Sequence, residues 1–218
     1  MTRLEVYLIR HGETDDNRNQ LIQGQRDTYL NDLGISQAQL TGKFLKQLGL
    51  RFDQIWSSDL RRALKTAQTI SDQLGDSIQV KTDVRLRERF LGDLEGKRRG
   101  TIQGESTAES LTEVLERLMS FWQDELLNRL GCYNRVIVVS HGAALRTLLE
   151  LGLIERLNYI DREIGHDQIR IPRRRFGNCS ITEVVIDGPK SGRVLYVGRD
   201  SHLSGILPGT VTNADEVA

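Results

Sequence analysis

Apolar residues in this chain follow two rhythms. Leu4–Ile9 (LEVYLI) and the run within Asn134–Gly142 (NRVIVVSHG) are short and nearly unbroken, as expected for strands buried on both faces. Asp53–Ser58 (DQIWSS) and Ser77–Asp83 (SIQVKTD) predict two further strands, and Asn178–Asp187 with Arg193–Gly198, separated by GPKSG, predict a hairpin. Between them the spacing turns helical. Leu33–Leu48 predicts a helix ending at Gly49, and Asp59–Gly75 one opened by an Asp59 N-cap and closed by Gly75. Thr107–Leu130 carries the longest helical pattern, and Ala143–Leu153 a shorter one. The Gly- and Arg-rich stretch from Arg85 to Ser106 has no clear period and predicts mostly loop.

Strands alternating with helices predict an α/β fold: a three-layer αβα sandwich around a central, mostly parallel sheet. No repeat or linker divides residues 1–218, so one domain is expected, with a small, polar and mobile tail over about residues 211–218.

Composition narrows the function classes. Thirty basic and thirty acidic residues balance, so no global field draws the chain to nucleic acid or an anionic membrane. The two cysteines, Cys132 and Cys179, form neither a CxxC pair nor a Cys/His cluster, which fits a reducing compartment and no metal site. The opening apolar run is too short for a signal peptide, and no stretch is long enough to cross a bilayer. A soluble cytoplasmic protein is expected.

Two strand ends share a pattern. VYLIRHG closes on Arg10, His11 and Gly12, and VIVVSHG on Ser140, His141 and Gly142. In an open α/β sheet such ends border the ligand crevice, so neighbouring strands would bring the two histidines together. Glycines after them would let backbone N–H groups approach an anion, with Gly12 leaving room for it. Arg10, closing a buried strand, needs a carboxylate or phosphate partner. Arg61 and Arg62 start a helix where positive charge opposes the helix dipole, and one of the pair can point inward. Glu88 and Glu95 lie in the Gly-bearing loop LRERFLGDLEG. A pocket gathering Arg, His, His and Glu could bind a phosphoryl group, attack it and protonate a leaving oxygen.

The segments RHGETDDN, SSDLRRALKTA, LRERFLGDLEG and VIVVSHG resemble, in order and spacing, the histidine phosphatase superfamily of phosphoglycerate mutase-like proteins. GQRDTYLNDLGISQAQ and FGNCSIT resemble its intervening segments. The resemblance implies His11 as the nucleophile that becomes phosphohistidine, and Arg10, Arg62 and His141 around the phosphoryl oxygens. It implies Glu88 as the acid/base, and Asn17, Gln23, Gly24 and Gly142 as substrate-binding positions. Arg61 is left facing outward. No metal or cofactor is implied. Asp16 departs from the family, whose members often carry tryptophan there.

Phosphomonoester hydrolysis, fructose-2,6-bisphosphate hydrolysis and phosphoglycerate mutation all stay open within that resemblance, as does a catalytically idle protein-binding relative. The short connection from Gly96 to Glu105 favours a phosphatase open to water. Lys97, Arg98 and Arg99, and Arg173–Arg175, are candidates for a basic rim. The expected partner is a small phosphorylated metabolite, with neither nucleic acid nor membrane; self-association as a homodimer stays open.

Overall fold

The computed structural model describes residues 3–75, 78–98, 107–161 and 176–206. Its strands are β1 (Leu4–Arg10), β2 (Gln54–Ser57), β3 (Val80–Thr82), β4 (Arg135–Ser140), β5 (Ile160–Asp161), β6 (Ile181–Gly188) and β7 (Ser191–Arg199). Its α-helices are α1 (Asp15–Arg18), α2 (Asp32–Gln47), α3 (Arg61–Leu74), α4 (Leu111–Phe121) and α5 (Gly142–Thr147).

The seven strands form one sheet in the order β3-β2-β4-β1-β6-β7-β5. The half built from β3, β2, β4 and β1 is parallel, whereas β6 runs antiparallel to β1 and β7 antiparallel to β6. The sheet is therefore mixed, with its parallel half bearing the predicted strand ends. Alternation along β1 and β4 explains the layers. Tyr7, Ile9, Ile137 and Val139 pack with Ala63, Ala67 and Ile70 of α3 and Leu45 of α2. Val6, Leu8, Val136 and Val138 face the other way, with Val114 and Leu118 of α4 and Leu145 of α5. Both faces are covered, which is why neither strand shows a polar alternation in sequence.

Several local expectations change. Asp59 does not cap α3: Leu60 holds the N-cap position without a side-chain bond, and the Arg61 N–H donates to Asp27 Oδ1 at 2.7 Å instead. Asp59 accepts from Arg87 Nε at 2.7 Å, and this ion pair removes the carboxylate from the helix start. Gly75 does close the helix in the left-handed region, at φ 81°. The expected long helix begins later, at a Ser110–Glu113 capping box, and loosens into a π-helical turn over Trp122–Leu126. The helix after β4 likewise continues past α5 as π-helical backbone over Leu148–Arg156. There Gly152 lies so close to Met119 that a methyl group on it would sit 2.7 Å from Sδ.

The tail over residues 211–218, Arg99 and Arg173–Arg175 lie outside the described residues, as does most of the Gly96–Glu105 connection. Among the described residues no helix is long and apolar enough to cross a membrane.

Candidate active site

Because β1, β2 and β4 are parallel neighbours, their C-terminal ends open on one edge of the sheet. Arg10 pairs in register with Ser140, so the next residues, His11 and His141, are brought face to face. Their rings lie 5.1 Å apart between centroids, tilted by 59°, and both are buried. Ser58, which follows β2, completes the edge: its Oγ shares a 2.9 Å hydrogen bond with His141 Nε2.

The tautomer of His11 follows from its partners. Nδ1 lies 2.7 Å from the Gly12 carbonyl oxygen, which can only accept, so Nδ1 carries the proton. Nε2 then holds a lone pair, and Arg62 Nε donates to it at 3.3 Å. Burial, then the Arg62 charge, then the Arg10 charge hold the imidazole pKa well below its ordinary value, outweighing the bond to Gly12. His141 is held low in the same way, by burial first and then by Arg62, with His11, Arg117 and Arg10 adding smaller pushes. Two neutral imidazoles therefore stand beside two buried arginines.

Both guanidiniums are anchored by carbonyls. Arg62 Nη1 donates to the Arg26 carbonyl at 2.6 Å and Nη2 to that of Gly24 at 2.7 Å. Arg10 Nη1 donates to the Phe176 carbonyl at 2.8 Å. These carbonyl partners orient the two guanidiniums without themselves cancelling charge. Arg61 turns outward, as expected, pairing with Asp27 at 3.0 Å and lying over the Tyr29 ring.

Glu88 arrives from the loop after β3 and is fully buried. Its carboxylate accepts from the backbone N–H groups of Arg89 at 3.0 Å, Ala143 at 3.1 Å and Ala144 at 2.8 Å. The glycine at position 142 begins α5 between His141 and these donors. Glu95, the other candidate of that loop, has a fastening part: its Oε1 accepts from the N–H groups of Gln25 and Leu91.

Asn17 is buried at the third position of the α1 capping box. Its Oδ1 accepts from Thr14 N–H and Oγ1 and from Asn178 Nδ2, and its own Nδ2 has no partner among the described residues. Gln23 Oε1 accepts from Thr14 and Thr28 hydroxyls, at 2.9 and 2.6 Å. Gly24 has φ 52° and packs against Glu95, so close that a methyl group would fall 2.2 Å from Oε1. Its carbonyl holds Arg62.

Gly12 also packs tightly. A methyl group there would lie 2.5 Å from the Gly34 carbonyl oxygen, and one on Gly34 would lie 2.1 Å from that of Glu13. The two glycines let α2 press directly on the chain leaving β1. Asp16 forms an ion pair with Arg26 at 3.4 Å, joining α1 to the loop whose carbonyls hold Arg62. Lys97 is exposed.

Three contributors escape a motif reading. Ser58 supports His141; Asn178 Nδ2 bridges the His11 carbonyl, at 3.0 Å, and Asn17; Thr66 Oγ1 accepts from Gly12 N–H at 3.0 Å. Their only signal is position beside a motif, in SSD, FGN and LKTA. Among the described residues, no group of three or more His, Cys, Asp or Glu side chains is placed to hold a metal ion.

Residues 6–197 match the family model of the histidine phosphatase superfamily (branch 1). A relative in Schizosaccharomyces pombe named "Probable phosphatase" is 32% identical over 207 residues, spanning 92% of this chain and 95% of its own length. A 2,3-bisphosphoglycerate-dependent phosphoglycerate mutase of Allorhizobium ampelinum is 36% identical, over 66% of this chain and 77% of the mutase. Among solved structures, a mutant phosphoserine phosphatase from Entamoeba histolytica in complex with phosphoserine superposes with a TM-score of 0.73 at 28% identity, covering 92% of this chain and 99% of that one. A mycobacterial glucosyl-3-phosphoglycerate phosphatase gives 0.71 at 25% identity, over 90% and 99% of the two chains. With the match running from β1 into β7 and through every strand end that bears a pocket residue, the chain belongs to the histidine phosphatase superfamily.

Proposed function

We propose that the protein is a phosphomonoester hydrolase that works through a phosphohistidine on His11, without a metal, on small phosphorylated metabolites such as sugar phosphates. The observation that carries this reading is the state of His11: neutral, protonated on Nδ1, with the Nε2 lone pair beside the Arg62 guanidinium.

In the first half-reaction Nε2 attacks phosphorus, the P–N bond forms and the P–O bond to the leaving group breaks. Arg10 and Arg62 hold the phosphoryl oxygens as charge spreads over them, and His141 and Asn17 Nδ2 donate to the same oxygens. A buried donor without a partner among the described residues, as Asn17 Nδ2 is, is stabilised by meeting such an oxygen. Glu88 delivers its proton to the departing oxygen; the negative phosphoryl group arriving beside it favours that proton's uptake. In the second half-reaction Glu88, now ionised, takes a proton from water, whose oxygen attacks phosphorus. The P–N bond breaks, phosphate leaves, and Glu88 is protonated again.

Coverage favours a phosphatase over a mutase. The phosphatase relative matches over nearly the whole of both chains, whereas the mutase relative matches over about two thirds of this one. The experiment is a turnover screen with chelator present, against phosphorylated sugars, glycerates, amino acids and nucleotides, with His11→Ala as control. Phosphate release that His11→Ala abolishes is the expected result. Loss of activity on chelation would overturn the metal-free mechanism, and phosphoglycerate isomerisation after priming, exceeding hydrolysis, would make the protein a mutase.

A further inference from the structure

The loop that carries Glu88 has no strand or helix ladder over residues 87–91 to take up its carbonyls, so side chains and isolated backbone N–H groups supply the donors. One residue takes two of these carbonyls, sharing that of Glu88 with Gln25 Nε2, which donates to it at 3.0 Å. Arg117, on α4, donates through Nη1 to the carbonyls of Arg85 and Arg87, both at 2.7 Å, and through Nη2 to that of Glu88 at 3.0 Å. Its remaining donors go to Glu109: Nε to Oε1 at 2.7 Å and Nη2 to Oε2 at 3.0 Å. These five bonds use all five N–H donors of a guanidinium, a pattern that an ammonium with three donors cannot reproduce.

Glu109 extends the same clamp forward. Its Oε2 accepts from Phe90 N–H at 3.1 Å, its N–H donates to the Phe90 carbonyl at 2.9 Å, and its carbonyl accepts from Arg89 Nε at 2.6 Å. The pair thus grips the backbone from Arg85 to Phe90 on both sides of Glu88. The Glu88 carboxylate meanwhile meets the backbone of Ala143 and Ala144, as described above.

We propose that Arg117, held by Glu109, is a positioning residue that sets the Glu88 carboxyl for proton transfer at the scissile oxygen. The inference rests on the assignment of Glu88 as acid/base. Arg117 bonds the loop's backbone, so beside its small electrostatic push on His141 it acts on the acid through the position of Glu88; a shift of well under an ångström in a proton donor is enough to lose rate.

Leaving-group dependence separates positioning from mere support of the fold. Departure of 2,4-dinitrophenolate needs little protonation, whereas departure of phenolate needs the acid. The parameter is kcat/KM, which reports steps only up to P–O cleavage and so leaves water activation aside. Arg117→Met, Arg117→Lys, Glu109→Gln and Glu88→Gln are compared with the parent enzyme on both aryl phosphates. General acid–base groups contribute about 100- to 10,000-fold, so a misplaced one should lose a part of that.

Arg117→Met is expected to lose about 30-fold or more on phenyl phosphate and about threefold or less on 2,4-dinitrophenyl phosphate. Arg117→Lys should recover only a minor part of the loss, and Glu109→Gln should show the same split more weakly. Equal losses on both substrates, or no loss, overturn the proposal. Should Arg117→Met fail to fold, the split in Glu109→Gln decides in the same terms. If Glu88→Gln shows the split and the Arg117 variants do not, only the positioning proposal fails; if Glu88→Gln shows none, the acid assignment fails and takes this inference with it.

Discussion

Replacing Arg62 by Met and by Lys separates the charge of the buried guanidinium from its shape. Arg62 donates to the carbonyls of Arg26 and Gly24 and to His11 Nε2, at 2.6, 2.7 and 3.3 Å. Met removes the charge and all three bonds; Lys keeps the charge but not the fork. Either change strips a donor from two carbonyls, at about 0.5–1.5 kcal/mol for each bond lost. For a chain of this length that corresponds to a Tm lower by at least about 2 °C. The larger effect falls on the reaction. Loss of one fixed donor to a developing oxyanion costs roughly 3–4 kcal/mol, so kcat/KM should fall about 100- to 1,000-fold in both variants.

The pH dependence then tells them apart. The Arg62 charge is the second cause, after burial, of the low His11 pKa, so removing it raises that pKa. Only neutral His11 attacks, so the acid limb of kcat/KM must move to higher pH in Arg62→Met and stay in place in Arg62→Lys. The assay is p-nitrophenyl phosphate turnover across the pH range in chelated buffer, with thermal unfolding alongside. An Arg62→Met enzyme within about threefold of the parent, or one whose acid limb does not move, would refute the electrostatic account of His11.

Further outcomes follow from the same geometry. Gly12→Ala places a methyl group 2.5 Å from the Gly34 carbonyl, and neither backbone can yield cheaply; chemical denaturation should show a loss of about 1–3 kcal/mol, and an unchanged midpoint would contradict the close packing. Folded stability should fall on acidification. His11 and His141 have folded pKa values below their unfolded value of 6.5, so below that pH the unfolded chain binds more protons than the folded one. Their stabilisation is complete above 6.5 and declines as pH drops, by roughly 1 kcal/mol per pH unit per histidine. His11→Gln should flatten the slope in denaturant titrations; a steeper slope would be inconsistent. Ser58→Ala removes the partner of His141 Nε2, and kcat/KM should fall about tenfold with phosphorylation of His11 still detectable.

Much of this architecture is written in short-range pattern. The unbroken apolar runs of β1 and β4 announce strands covered on both faces, and the RHG and SHG endings mark the edge where the pocket forms. Helical spacing says that one of Arg61 and Arg62 turns inward, and the family resemblance says that it is Arg62. Contacts made across the chain are not written that way. Asp59 looks like a cap because capping is local, yet a bidentate arginine 28 residues later draws it off. The packing demand for glycine at position 12 is not legible either, because nothing in RHGE shows that Gly34 of α2 will press on it. The close approach of Gly152 to Met119 within the π-helical stretch is likewise a contact between elements that local pattern does not show. Arg117 reads as one more polar residue on a helix face; only the folded loop shows five donors converging on one stretch of backbone.

The claim on which the rest depends is that His11 Nε2 receives the phosphoryl group. Rapid quenching of the enzyme during turnover, under alkaline conditions that preserve phosphohistidine, followed by peptide mass spectrometry, tests it directly. One phosphoryl group on His11, absent from His11→Ala and gone once substrate is exhausted, is the predicted result. Steady turnover with phosphate on another residue, or with His11→Ala as active as the parent, would contradict it.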